Sequence, residues 1–188
     1  PIGDWVLNEA CRQAQSWIDS GLPPMVMAVN VSPVQFRQIG FVDAVAGALA
    51  ASGLEAGLLE LEVTEGTVMH DSDINLGTLS ALHRMGVELS VDDFGTGYSS
   101  LSYLKRFPVS KLKIDRSFVR DLEVDSDDRA IASTIVSMGR NLRLTVLAEG
   151  VENAEQLALY LQMACEMAEG SVFGRHVGGA GLPQLMRS

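Results

Sequence analysis

The chain has 188 residues, 47% of them hydrophobic, enough for one sizeable core and too few for two ordinary domains, so a single domain over 1–188 is expected. Asp and Glu number 24 against 14 Lys and Arg, and this balance of −10 argues against a DNA or RNA polymer or an anionic membrane surface as a direct partner. Only Cys11 and Cys165 occur, without metal-ligand spacing, and no apolar stretch of about 18 residues is present; zinc, a disulfide framework and a membrane span are not expected, and a cytoplasmic setting is.

In chain order, Leu7, Cys11, Ala14 and Ile18 recur at helical spacing after Asp4, which is read as the N-cap, and Gly21 with Pro23 and Pro24 ends that helix. Met25 to Val31 is a compact apolar run that closes on Asn30. Ser32 and Pro33 then open a helix expected to continue to about Ala51, stopped by Gly53. Strand Leu58–Val63 carries Glu62, leads to Glu65, and precedes a helix from about Ser72 to Met85. Strand Val87–Val91 runs into Asp92 and Asp93, after which Ser99 is read as the cap of a short helix through Lys105 that Pro108 breaks. Strand Lys111–Ile114 carries Lys113. A helix over Asp127–Arg140 leads to strand Arg143–Ala148 and then Glu149; Asn153 and Gln156 form a capping box for a helix to about Gln162, and a last strand is expected over Ala168–Phe173.

Six strands alternating with helices at roughly 30-residue spacing point to a parallel sheet with right-handed crossovers. Polar residues gather at the C-terminal strand ends, as in a TIM-like (β/α) barrel, whereas a doubly wound sheet calls for a glycine-rich first turn. A closed barrel has eight strands, so this α/β barrel is expected to be incomplete at its N-terminus, with the remainder before Pro1. Pro1 is not an initiator methionine, and the parent protein is free to carry a membrane anchor elsewhere.

The strand ends deliver carboxylates, and such crowding of like charge calls for a cation. Alternation puts Glu60, Glu62 and Thr64 on one face, and an inward Glu62 is either a metal ligand or half of a structural ion pair. Asp92 and Asp93 can divide between two metals, or Asp93 can cap its loop. Lys113 shares parity with Lys111 and Asp115; it offsets the carboxylates and reaches a phosphate oxygen or an attacking water, or pairs with Asp115. Glu149 reads as a ligand, Glu152 as a group supporting the ligands from behind or a water positioner, Glu65 as a ligand or a loop anchor, and Asn30 as a neutral ligand or a turn former. Asp93-Phe94-Gly95 spells a kinase metal motif, yet no glycine-rich loop or His-Arg-Asp accompanies it. His70, His83 and His176 share no spacing and are read as surface or loop residues, and the serines lack a nucleophile elbow.

Val29-Asn30-Val31-Ser32, Leu61-Glu62-Val63-Thr64-Glu65, Asp92 through Leu101, Lys111 through Asp115 and Ala148 through Glu152, in this order and spacing, resemble the EAL-domain family. The resemblance implies a modified TIM-like barrel that uses Mg²⁺ or Mn²⁺ to hydrolyse cyclic di-GMP to linear pGpG. By motif, Asn30, Glu62, Asp92, Asp93 and Glu149 would hold metal, Lys113 would assist near the attacking water, Glu65 would steady the loop from Asp93 to Ser100, and Glu152 would lie behind the ligands. It further implies a homodimer and an upstream sensory or GGDEF-type domain. Two departures stand out. The Glu-Ala-Leu signature is absent from the chain, which is read as starting downstream of it; and Glu169-Gly170-Ser171-Val172-Phe173 replaces Gln-Gly-Tyr-Leu-Phe, with Gly174-Arg175-His176 following in place of Ser-Arg-Pro. The alternative they support is a degenerate, non-catalytic EAL module that senses cyclic di-GMP or binds protein.

Overall fold

The computed structural model describes residues 2–70, 72–97, 101–120, 122–123, 125–174, 177–179 and 181–186. The expected cap at Ser99 and the reading of His176 as a surface residue lie outside the described residues. The elements, in order, are α1 (Ile2–Asp19), β1 (Met27–Val31), α2 (Pro33–Phe36), α3 (Phe41–Ser52), β2 (Leu59–Thr64), α4 (Glu65–Met69), α5 (Ser72–Arg84), β3 (Glu88–Phe94), α6 (Leu101–Leu104), β4 (Lys111–Ile114), α7 (Ser117–Arg120), α8 (Ser126–Leu142), β5 (Thr145–Ala148), α9 (Ala154–Gln162), β6 (Met167–Ala168) and α10 (Leu182–Leu185).

All six strands are parallel and lie in sequence order, β1-β2-β3-β4-β5-β6. A doubly wound sheet reverses its order at a switch point, so this order is that of a TIM-like (β/α) barrel, with β1 and β6 at the two edges among the described residues. Period-two alternation sorts each strand into two faces. Val29, Val31, Leu59, Leu61, Val63, Leu89, Val91, Leu112, Ile114, Val146 and Ala148 are buried on the outer face under helices. The inner face is polar: Glu60 and Glu62 on β2, Ser90 and Asp92 on β3, Lys111 and Lys113 on β4.

Helix ends follow local chemistry. Leu7, Cys11 and Ala14 of α1 are buried at the expected spacing, but the helix already runs from Ile2, so Asp4 lies in its first turn instead of capping it. Ser32 Oγ accepts the Gln35 N–H at 3.2 Å to start α2. The single helix expected from Pro33 to Ala51 is two: α2 ends at Phe36 with Arg37 as its C-cap, and Gly40, at φ 88° in the left-handed region, is the N-cap from which α3 starts. Asp125 caps α8 by accepting the Asp127 and Asp128 N–H groups. Asn153 Oδ1 accepts the Gln156 N–H at 2.8 Å, while Gln156 Oε1 reaches past the cap to the Glu152 N–H.

The last strand differs from the expectation: β6 covers Met167–Ala168, and the chain turns after Glu169. The ladder nevertheless continues one step, with Glu169 N–H donating to Ala148 O and Val151 N–H to Glu169 O, both at 2.9 Å. Gly170 makes that step possible; at φ 153° its added Cβ would lie 2.1 Å from Val151 O and 2.4 Å from Val151 N. These are backbone atoms that cannot rotate away. Gly170→Ala is therefore expected to destabilise the protein by about 2 kcal/mol or more, read as a lower urea midpoint; an unchanged midpoint would show that the segment yields.

Candidate active site

Lys113 is the third residue of β4 and faces inward, only 4% exposed. Its Nζ donates to Glu62 Oε1 at 2.7 Å and to Glu149 Oε1, and lies 3.5 Å from Glu169 Oε1 and 4.0 Å from Asp92 Oδ1. One ammonium thus gathers carboxylates from β2, β3 and the segments after β5 and β6. The expected alternative, an ion pair between Lys113 and Asp115, is replaced: Asp115 accepts from the Ser117 N–H and hydroxyl and bonds Asp93.

Asp92 and Asp93 are set in place by a register shift. Val91 pairs with Leu112 and Phe94 with Ile114, so the two aspartates together oppose Lys113. This β-bulge carries Asp93 at φ 55° and turns the two consecutive carboxylates toward one region in place of opposite faces. Oxygens of Asp92, Asp93 and Glu149 lie within 4.8 Å of one another. Asp92 Oδ1 also accepts the Asp93 N–H at 2.9 Å, which fixes the carboxylate.

Burial decides the protonation balance. It pushes Glu149 up to about 7 against the pull of Lys113, with the charge of Asp92 adding to the rise. Burial likewise raises Glu62 against Lys113, and raises Asp93, where Asp92 and then Asp115 add repulsion. For Lys113 burial acts downward, yet the hydrogen bonds to Glu149 and Glu62 overcome it and hold the ammonium above its usual range.

The other expected residues are placed as follows. Asn30, the next-to-last residue of β1, is in register with Glu62 and is exposed. Glu65 opens α4, is buried, and its Oε2 accepts the Gly95 N–H at 2.9 Å and the Gly97 N–H at 3.3 Å. Glu152 stands exposed in the loop after Glu149 and is not one of the three grouped carboxylates. Two residues given no site role in the sequence reading also join the cluster: Glu169, noted there only as a departure from the family motif, reaches Lys113, and Asp115, offered there as a partner of Lys113, bonds Asp93. The shared parity of Lys113 and Asp115 was the available signal for the second. A lower tier lies one strand repeat away, where Lys111 Nζ donates to Glu60 Oε2 at 2.5 Å. The cavity of about 460 Å³ between the α2–α3 connection and α5 contains none of these residues, so cavity shape does not identify the site.

Three hard oxygen donors within reach of one point suit a divalent cation, and the neighbouring ammonium keeps the group compact.

A family model described as EAL domain matches residues 1–176. The bifunctional diguanylate cyclase/cyclic di-GMP phosphodiesterase MucR of Pseudomonas aeruginosa is 52% identical over 174 residues, 93% of this chain and 25% of that protein. Cyclic di-GMP phosphodiesterase NbdA of the same organism is 43% identical over 187 residues, covering 100% of this chain and 24% of its own length. The chain therefore spans about a quarter of these curated relatives. Among solved structures, the MucR phosphodiesterase in complex with cyclic di-GMP superposes with a TM-score of 0.94 at 50% identity, over 96% of this chain and 73% of that one. Klebsiella pneumoniae BlrP1 in a manganese/cyclic di-GMP complex gives 0.80 at 31% identity, over 92% and 44%.

Two outcomes are expected. Glu65→Ala removes the acceptor of two loop N–H groups, so amide exchange at Gly95 and Gly97 accelerates and stability falls by about 1–3 kcal/mol; unchanged protection would show another anchor. In cation-free protein Glu149 holds its proton more tightly folded, at about 7, than unfolded, in the ordinary carboxylate range. Stability in EDTA should then fall as pH rises from about 5 to about 8. Urea midpoints across that range check this, and a midpoint that rises with pH contradicts it.

Proposed function

The chain belongs to the EAL domain family, and on that premise we propose that it is a cyclic di-GMP phosphodiesterase domain that hydrolyses the cyclic dinucleotide to linear pGpG with Mg²⁺ or Mn²⁺. The observation that carries the reading is the meeting of Asp92, Asp93 and Glu149 oxygens within 4.8 Å, beside the ammonium of Lys113. MucR and NbdA, whose names state this activity, and the manganese/cyclic di-GMP complex of BlrP1 support it. Since the chain spans about a quarter of those relatives, the intact protein is proposed to hold further domains, of sensory or GGDEF type.

Hydrolysis adds water across one phosphorus–O3′ bond, leaving a 5′-phosphate and a 3′-hydroxyl. Asp92, Asp93 and Glu149, with Glu62 and Asn30 on adjoining strands, would hold the cations. When bound, these cations would supply charge neutralisation at the phosphate and ease deprotonation of water. Lys113, fixed between Glu62 and Glu149, places a positive charge where negative charge develops on the phosphoryl oxygens. Its retention by two carboxylates keeps the ammonium protonated throughout. Glu65 holds the loop that follows Asp93, so the aspartate approaches from a fixed direction. Glu152, exposed beside the site, would orient a water from the solvent side.

Turnover of cyclic di-GMP in Mn²⁺ tests this reading. The intact protein is expected to yield pGpG, and Asp92→Asn to lower kcat by about 10²-fold or more while leaving the fold intact by circular dichroism. Dinucleotide binding without cleavage would overturn the hydrolase and favour a non-catalytic module.

A further inference from the structure

Glu169 follows β6 directly, and the main chain fixes it on both sides through Ala148 O and Val151 N–H. Gly170 sits against the Val151 backbone, so the segment has no room to slide. From there the side chain, 52% exposed, puts Oε1 3.5 Å from Lys113 Nζ. Glu62 and Glu149, at 6% and 17% side-chain exposure, hold the same ammonium from the buried side. Glu169 is its partner toward solvent, where an anion arriving from the open end would meet it. Glutamine, the residue the resembling motif carries there, has nearly the same size and no charge.

Resting on the phosphodiesterase reading, we propose that Glu169 is a positioning residue acting through Lys113, one that makes binding of the anionic dinucleotide conditional on divalent cations. Without a cation, the carboxylate occupies the open side of the ammonium and repels phosphate. A cation among Asp92, Asp93 and Glu149 offsets that charge and frees Lys113 to face the ligand. The coupling is reciprocal, since whatever the cation adds to dinucleotide affinity the dinucleotide adds to cation affinity. One partly screened unit charge at such range changes affinity by about tenfold.

Calorimetric titration of cyclic di-GMP into the intact protein, in EDTA and in saturating Ca²⁺, reads the coupling directly. Glu169→Gln is the variant, and Glu166→Gln is the control for net charge, because Glu166 lines an outer groove with Leu157 and Tyr160. In Glu169→Gln, affinity in EDTA is expected to rise about tenfold and the enhancement by Ca²⁺ to shrink by the same factor, with Glu166→Gln matching the unaltered protein. Ca²⁺ alone should also bind Glu169→Gln more weakly. An unchanged Ca²⁺ dependence in Glu169→Gln, or an equal change in Glu166→Gln, overturns the proposal. If the unaltered protein binds no cyclic di-GMP at any Ca²⁺ concentration, the phosphodiesterase reading itself fails and the coupling falls with it.

Discussion

Everything at the strand ends depends on one ammonium shared by several carboxylates. Lys113 is almost wholly buried, and a buried lysine without acidic partners would give up its proton or disrupt the fold. The carboxylates around it face the mirror-image difficulty. Each side makes the other tolerable, which is why strands that bury leucine and valine outward can carry Glu62, Asp92 and Lys113 inward. The arrangement is a poor means of gaining stability, since desolvating such charges costs about what their attraction returns. Its persistence in the interior is better understood through chemistry than through folding.

Rigidity of that centre comes from the backbone more than from side-chain packing. Lys113 and Glu62 stand on strands, Glu149 and Glu169 just past strand ends whose ladder hydrogen bonds continue through them. The loop after Asp93 is tied back by Glu65, and the loop after Glu149 by Gln156 through the Glu152 N–H. Groups held in this way need little rearrangement when charge develops on a ligand.

Much of this was legible in the sequence because two periodicities were clean. Leu-Glu-Leu-Glu-Val-Thr over residues 59–64 declares its inner and outer faces, and Leu7, Cys11 and Ala14 declare a helix. The centre followed from parity: Glu62 and Lys113 each lie inward on their own strand. Other features depend on contacts that no single segment contains. The break from Arg37 to Gly40 is a backbone choice between two otherwise helical stretches, and the short α4 and α7 offer too few residues to show a period. Glu169 was visible as a change of charge, but its reach to Lys113 depends on how the chain turns after β6. The pairing of Asp115 with Asp93 likewise required the register of β3 against β4.

Because the register of β3 against β4 carries its extra residue in β3 alone, a one-residue deletion at the doublet would leave a plain ladder, with Phe94 still opposite Ile114 in the apolar layer but a single inward carboxylate opposite Lys113. The bulge thus fits two carboxylates into the space of one without disturbing the apolar layer beyond it.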